Sequence, residues 1–435
     1  MSAAAEFLER RFGIAAQGSS VRREIVAGCT TFLAMAYITV VNPGMLAEAG
    51  MDFGAVFVAT CLAAAFGTFV MGWFANYPVG LAPGMGQNAF FTYGIVLGAG
   101  VAWPTALGAV FLSGVLFVLL TVLPVREWLI NAIPRSLKLG MAAGIGLFLA
   151  FIAMQNAGIV VDNPATLVGF GDLTAFGPAA ALAGFVLIAV LVARGVPGAV
   201  IIGLLAIAAV GWLFGDAQFA GVVSAPPSPA PVLFALDIAG ALELSMLAII
   251  LSLLLVDVFD TSGTLVAVTM RANLLSADGK LPRLRAALFA DSSATLAGSL
   301  FGTSSTTSFI ESAAGVEAGG RTGLTAVVVA ALFLLCLLLA PLAQSIPPYA
   351  SAAALLFVAT LMAASLAGID FGDVTEASPA IITALAIPLS YSIADGIGVG
   401  FITYAFIKAA SGRVRECPLA VGVVALVFLG KYLFL

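Results

Sequence analysis

The chain has 435 residues, of which 62% are hydrophobic and only 9% are charged, and its formal net charge is −5. In soluble domains about a quarter of all residues are usually charged, so this composition excludes an ordinary soluble protein and indicates a multi-pass membrane protein. At about 20 residues per span, the length allows roughly 12 to 15 transmembrane helices in one polytopic domain. Because the chain contains no histidine, any proton chemistry must use carboxylates.

The N-terminal residues 1–20 are polar and charged before the first apolar run, so no cleavable signal peptide is expected. The cysteines are widely scattered, with neither metal-ligand spacing nor an evident disulfide pairing. We therefore expect no metal and no cofactor.

Apolar runs between glycine, proline and charged residues predict seven spans in each half of the chain. The first set is 24–43, 54–75, 80–95, 104–123, 137–157, 176–193 and 197–214. After a proline-rich loop, the second set is 244–268, 285–301, 302–317, 322–343, 349–368, 378–393 and 396–411. The last apolar stretch, 418–434, is additional, and its pattern leaves open whether it spans the membrane or lies at the interface.

The charge distribution supports this count of spans. With the N-terminus in the cytoplasm, every lysine and arginine except Lys431 falls in a loop on the cytoplasmic side. Cytoplasmic loops carry an excess of basic residues, so the pattern predicts a protein of the inner (cytoplasmic) membrane with its N-terminus inside.

The third span of each half is abnormal. The first of these contains GLAPGMGQN over residues 80–88, and the second has hydroxyl residues at 303–308 before Glu311. Glycine and hydroxyl residues weaken a helix, and irregular backbone is tolerated at membrane depth only inside protein or beside a polar cavity. Halves with an odd number of spans must be inverted relative to each other, and matched broken segments in inverted repeats predict the central site of a transporter.

Four acidic residues lie well inside apolar segments: Asp257, Asp260, Asp291 and Glu311. Asp257 and Asp260 stand three residues apart on one helix face, and two carboxylates this close in a poorly hydrated site resist joint ionisation. Intramembrane carboxylates of this kind suit proton-coupled transport. The alternative is that they only accept hydrogen bonds from neighbouring helices, and for Asp291 a structural ion pair with the nearby basic residues is equally open.

Asn88 and several phenylalanines stand next to these polar positions. The amide of Asn88 both donates and accepts, which suits the edge of a nucleobase, although a helix cap is the alternative role. Phe90, Phe91, Phe259 and Phe309 would stack on a planar ligand, although each one taken alone is more typical of core packing.

Six motifs in order, covering nearly the whole chain, resemble the AzgA-like purine permeases, a branch of the nucleobase–ascorbate transporter superfamily. They occupy residues 28–43 (GCTTFLAMAYITVVNP), 82–91 (APGMGQNAFF), 133–158, 257–264 (DVFDTSGT), 290–298 (ADSSATLAG) and 311–323 (ESAAGVEAGGRTG). The resemblance implies an all-α fold of fourteen segments in two inverted repeats. It also implies secondary active uptake of purine nucleobases of the adenine, guanine and hypoxanthine class.

The same resemblance implies a core domain that moves against a gate domain. The core would comprise 24–123 (segments 1–4) and 244–343 (segments 8–11), and the gate 124–214 and 344–435. Residues 1–23 would form a cytoplasmic N-terminal segment and 215–243 an extracytoplasmic loop. Short strands in segments three and ten would meet at the substrate site.

Residue by residue, the resemblance places substrate contacts on Asn88, Asp257, Asp260 and Glu311, with Phe259 and Phe309 beside them. It places proton coupling on Asp260, Asp291 and Glu311. H⁺ is expected as the coupling ion rather than Na⁺, because no set of oxygen ligands for sodium is evident. Besides the purine and the lipid bilayer, the expected partner is a second copy of the chain through the gate domains, and no nucleic acid.

Three alternatives carry different expectations. An anion transporter of the same fold, of the sulfate-permease type, should have a neutral or cationic site. A uracil- or xanthine-type symporter should have Asn after the segment-ten acid, where this chain has Ser312. An intramembrane aspartyl protease should carry YD and GxGD signatures, which the sequence lacks, so no enzyme activity is expected.

Overall fold

The computed structural model describes residues 3–122, 133–274 and 281–434. Arg126 and Lys280, which contribute to the predicted charge distribution, lie outside these residues, as does the predicted start of the gate domain at 124.

In the first half, polar residues begin several of the helices. The side chain of Ser20 accepts a hydrogen bond from the amide of Arg23, and that of Asp52 accepts one from Ala55, which are favourable N-terminal caps. The elements are α1 (Ala3–Phe12), α2 (Val21–Met35), α3 (Ile38–Glu48), α4 (Phe53–Val70), β1 (Leu81–Pro83), α5 (Met85–Ala89), α6 (Trp103–Val122), α7 (Arg135–Asn156), β2 (Val160–Asn163), β3 (Leu167–Phe170), α8 (Phe176–Ala193) and α9 (Ala199–Leu213). Turns of π-helix extend α4 through Ala75 and α5 through Gly98.

The second half follows the same plan of long helices around one broken segment. Its elements are α10 (Ile238–Ala241), α11 (Leu247–Arg271), α12 (Leu284–Phe301), β4 (Thr306–Ser308), α13 (Ser312–Glu317), α14 (Gly323–Cys336), α15 (Ala340–Gln344), α16 (Pro348–Ala363), α17 (Val374–Ser390), α18 (Ile393–Ala410) and α19 (Leu419–Phe434).

Within residues 3–122, 133–274 and 281–434, 9 helical stretches are long and apolar enough to cross a membrane. Shorter apolar helices add Ala199–Leu213, Val374–Ser390 and Leu419–Leu433. The predicted class, a helical membrane protein with many spans, is confirmed, whereas the count of fourteen stays a prediction. The predicted span 24–43 is part of a longer stretch, Val21–Glu48, in which α2 and α3 follow each other.

The helices pack in two groups. One group contains α2, α3, α4, α5, α6, α11, α12, α13 and α14, and the other contains α7, α8, α9, α16, α17, α18 and α19. Gly140 brings α7 very close to α17, since a Cβ there would lie 2.5 Å from the carbonyl oxygen of Ala380. The grouping agrees with the predicted core and gate, and we call the two groups by those names. The residue boundaries of the two domains stay predictions.

The C-terminal helix α19 runs back along α18. Lys431, near the end of α19, forms an ion pair of 2.7 Å with Asp395 at the start of α18. At the opposite end, Lys408 of α18 pairs at 3.1 Å with Glu416, which precedes α19. The stretch 418–434 is therefore antiparallel to a predicted span and packs along it.

The two broken segments meet in the middle of the fold. Strand β1 pairs antiparallel with β4, with Leu81 opposite Ser308, Ala82 opposite Thr307 and Pro83 opposite Thr306. The flanking bonds run from the amide of Gly84 to the carbonyl of Ser305 and from the amide of Phe309 to the carbonyl of Gly80, both at 2.9 Å. The predicted meeting of segments three and ten is present in the structure.

The register of this pair is testable by disulfide formation. With Leu81→Cys and Ser308→Cys in a background without the native cysteines, we expect oxidation to cross-link the two halves. Directly opposed residues in such a pair have Cα atoms about 4.5–5.5 Å apart, within the range that disulfides need. Mass spectrometry of the cross-linked peptides measures the yield. The matched control, Leu81→Cys with Thr307→Cys, places the thiols on opposite faces, and an equal yield from it would contradict the register.

Candidate functional site

The strand pair opens onto a small cavity of about 80 Å³. Its polar lining comes from three different stretches of the chain: Tyr37, Asp260 with Thr264, and Thr307 with Ser308 and Glu311. Backbone at Gly84 and Gly86 and the side chain of Phe309 complete this side of the wall. A mid-membrane cavity with few polar groups in a mostly apolar surround is the usual form of a small-molecule site.

A second and larger cavity of about 710 Å³ adjoins the first. The linings of the two cavities share five residues: Gly86, Asp260, Thr264, Ile310 and Met362. We therefore treat them as one connected site, and we call the small cavity the inner cavity and the large one the vestibule. The vestibule is also lined by the basic residues at the start of α7, Arg135 and Lys138. Its wall therefore joins core elements, α5 and α11, to the gate helix α7.

Glu311 stands directly before α13 and lines the inner cavity in a half-buried position. The hydroxyl of Tyr37 donates a hydrogen bond of 2.6 Å to its Oε1. Within the described residues, its carboxylate accepts no capping hydrogen bond from the amides of α13. The second carboxylate oxygen is thus available to a ligand.

Asp260 lies on α11 at the junction of the inner cavity and the vestibule. It is half-buried, and the hydroxyl of Thr307 lies 3.4 Å from its Oδ2, a long hydrogen bond. Because this carboxylate faces both cavities, it can contact a ligand and exchange a proton with water.

Asp257 and Asp291 occupy a different environment, behind strand β4. Both are fully buried and neither is among the described residues that line the two cavities. Thr295 donates to Asp257 Oδ2 at 3.0 Å, and Ser308 donates to Asp291 Oδ1 at 3.1 Å. These two acids hold the broken segment from behind. Asp291 accepts a hydrogen bond from this strand, and in the part of the chain that the structure describes no ion pair joins it to Arg283 or Arg285.

Asn88 connects the two broken segments instead of facing the cavities. It is fully buried, the hydroxyl of Ser304 donates to its Oδ1, and its Nδ2 lies 3.5 Å from the carbonyl of Pro83. Asn88 is not among the described residues that line either cavity. The predicted phenylalanines divide similarly, because Phe309 lines the inner cavity and Phe259 the vestibule, whereas Phe90 and Phe91 belong to the hydrophobic core.

Four polar residues that line the two cavities are absent from the predicted substrate contacts: Tyr37, Gln87, Thr264 and Thr307. Tyr37 carries a hydroxyl in an otherwise apolar span, and such a polar tip usually finds a partner when buried, so the signal was present. Gln87 stands next to Asn88 in the same broken segment. The two threonines gave no signal beyond their position near the acids.

The open vestibule makes a prediction about solvent access. In a background without the native cysteines, we expect a charged maleimide to label Met362→Cys, because that side chain lines both cavities. The matched control is Ser113→Cys on α6, which is fully buried and should stay unlabelled. Mass spectrometry of the intact protein gives the labelled fraction. Labelling of the control alone, or of neither position, would contradict a water-accessible vestibule.

Comparison with known proteins identifies the family. A sequence model described as a permease family matches residues 22–399. The chain is 48% identical over 428 residues to the adenine permease AdeP of Escherichia coli (strain K12), covering 98% of this chain and 96% of that protein. It is 43% identical over 425 residues to the guanine/hypoxanthine permease PbuO of Bacillus subtilis (strain 168), covering 96% of this chain and 98% of that protein.

Solved structures show the same fold at much lower identity. The transmembrane domain of the cyanobacterial bicarbonate transporter BicA is similar with a TM-score of 0.65 and 16% identity, covering 87% of this chain and 97% of that one. This likeness bears on the fold alone and confirms the predicted transporter architecture of inverted repeats with core and gate. The protein is a multi-pass membrane protein and a transporter rather than an enzyme. It belongs to the matched permease family, which is the nucleobase–ascorbate transporter family that its motifs resemble.

Proposed function

We propose that this protein takes up purine nucleobases of the adenine, guanine and hypoxanthine class across the inner membrane, coupled to protons. The observation that carries the proposal is the inner cavity between the broken segments, where Asp260 and Glu311 present half-buried carboxylates. The names of the relatives, adenine permease and guanine/hypoxanthine permease, support the substrate class.

The chemistry of the cavity suits a neutral, planar heterocycle with N–H groups. Carboxylates only accept hydrogen bonds when ionised, so Glu311 and Asp260 pair with ring N–H or exocyclic amino groups. Tyr37 holds Glu311 in place, and Phe309 supplies an apolar face. A buried site built to pair N–H donors rejects analogues that lack them, because its own polar groups are then left unpaired.

Asp260 is the first candidate for the coupling proton. It meets both the inner cavity and the vestibule, so in this conformation it can exchange a proton with water in the vestibule. A charged side chain at membrane depth is costly, and protonation removes this cost when the core moves. Glu311 shares this exposure, whereas Asp291 reaches the cavity only through Ser308. Coupling to Na⁺ would require a set of oxygen ligands around the ion, whereas coupling to H⁺ requires only that these acids bind and release a proton.

The closed side of the site is held by polar contacts between core and gate. Asn156, at the end of the gate helix α7, donates to Glu48 of α3 at 3.0 Å and to the hydroxyl of Tyr93 at 3.2 Å. The vestibule opens at the other end of α7, beside Arg135 and Lys138. With basic residues in the cytoplasm and the N-terminus inside, this conformation faces inward. Pairing of two copies through the gate helices is also part of the proposal.

The alternative functions fit the site less well. An anion transporter would share the fold seen in BicA, but two carboxylates in the cavity repel an anionic substrate. For the uracil and xanthine type, Ser312 stands where that branch has Asn.

The first test is uptake by cells that lack their own purine permeases. We expect saturable uptake of radiolabelled adenine and hypoxanthine that unlabelled purines inhibit, that uracil does not inhibit, and that a protonophore abolishes. Uptake that persists with the protonophore and follows a sodium gradient would contradict proton coupling. A protein that reaches the membrane and takes up no base would contradict the substrate class.

The second test separates binding from coupling. We expect Asp260→Asn to retain exchange of labelled for unlabelled purine in proteoliposomes but to lose accumulation driven by a pH gradient, by about 10-fold or more, because the amide cannot carry the proton. The matched control is Glu317→Gln, which alters an exposed acid paired with Arg271 on the surface. Full accumulation by Asp260→Asn would place the coupling proton elsewhere, with Glu311→Gln as the next variant to measure.

A further inference from the structure

Gln87 is a polar residue of the vestibule wall to which the proposed function assigns no role. It lies on α5 in the first broken segment, is 1% exposed and lines the vestibule. In the part of the chain that the structure describes, neither its Nε2 nor its Oε1 forms a hydrogen bond of normal geometry, and the amide lies close enough to Asp260 to interact with its carboxylate. A buried amide left unpaired costs about 1–3 kcal/mol, so its place in a cavity wall indicates a partner that comes from the cavity.

The local backbone allows this amide to lie at the centre of the site. A Cβ on residue 84 would lie 2.2 Å from Gln87 Oε1, so the amide in its present position packs directly against the glycine. Asp260 lines the same vestibule, which places an amide and a carboxylate on one cavity. The neighbouring Asn88 differs, since the hydroxyl of Ser304 already occupies its amide oxygen.

An amide presents a donor and an acceptor side by side. In a purine with an amino group at position 6, N7 accepts and the amino group donates, and a glutamine pairs with this edge through two hydrogen bonds. In a 6-oxopurine, N7 and O6 both accept, so the amide satisfies only one of them and its own oxygen faces O6. The geometry of the donor and acceptor therefore discriminates between the two classes of purine.

We propose that Gln87 is a specificity-determining residue, and that its buried amide on the wall shared with Asp260 selects 6-aminopurines over 6-oxopurines. This inference rests on the proposed function, because it requires a purine in the cavity. Asp260 and Glu311 then accept the remaining N–H groups of the base, and Gln87 reads the N7 edge.

The experiment measures inhibition of labelled adenine uptake by adenine, 7-deazaadenine and hypoxanthine, in the full-length protein and in Gln87→Leu. Leucine keeps a similar volume and makes no hydrogen bond. In the unmodified protein we expect adenine to bind at least about 10-fold more tightly than 7-deazaadenine, which lacks the N7 acceptor, and than hypoxanthine. One bidentate pair is worth about 1–3 kcal/mol, so Gln87→Leu should weaken adenine binding by about 5- to 150-fold. The variant should then no longer distinguish adenine from 7-deazaadenine.

Other outcomes overturn the inference. If Gln87→Leu weakens all three bases equally, the residue only positions Asp260. If the variant keeps the full preference for adenine over 7-deazaadenine, the N7 edge is read elsewhere. If the variant does not fold, equal binding of adenine and 7-deazaadenine by the unmodified protein would also overturn the inference. Failure of every purine to bind the unmodified protein would instead show that the proposed function is wrong, and the inference would fall with it.

Discussion

The site depends on the backbone hydrogen bonds between the two broken segments. Residues around 80–84 and 305–309 are extended in the middle of a membrane protein, where an unpaired backbone group costs several kcal/mol. Strands β1 and β4 satisfy each other, and hydroxyl side chains satisfy the rest of the ladder. Thr68 exchanges hydrogen bonds with the backbone of Leu81, and the hydroxyl of Thr295 accepts one from the amide of Thr306. A carbonyl and amide network of this kind fixes the positions of the acids on either side of it.

The same pairing sorts the intramembrane acids into two kinds. Asp257 and Asp291 stand behind β4, sealed from the cavities, and accept hydrogen bonds from hydroxyls that also support the strand. Asp260 and Glu311 stand in front of it and retain partial exposure to the cavities. Sealed acids maintain the shape of the site, whereas the partly exposed ones are placed to contact a ligand and to exchange protons, as the proposed function requires. This division explains why four acids occur in one region although the cavity uses two.

Much of this arrangement could be predicted from the sequence, because glycine and hydroxyl residues in an apolar run indicate a local break in the helix. The partners of the polar groups could not, since they depend on how distant segments pack. Asn88 binds Ser304, 216 residues away, and Tyr37 binds Glu311, 274 residues away. A local pattern indicates that Asn88 needs a partner, but not that the partner is protein rather than ligand. The orientation of 418–434 likewise became evident only from the pairing of Lys431 with Asp395.

The contacts within the gate and those between gate and core differ in strength, and this difference favours movement of whole domains. Lys408 is fully buried and pairs with Glu376 at 2.8 Å, which also accepts from Ser136, so α7, α17 and α18 are tied together. Breaking such a buried pair is strongly destabilising. Arg413 and Lys408 lower the pKa of Glu416 to about 2, so this carboxylate stays charged at neutral pH. Between gate and core, by contrast, the hydrogen bond from Asn156 to Glu48 joins two partly exposed side chains, and water can replace it at little cost. The difference favours separation of the two domains over deformation of either one, as the proposed transport cycle requires.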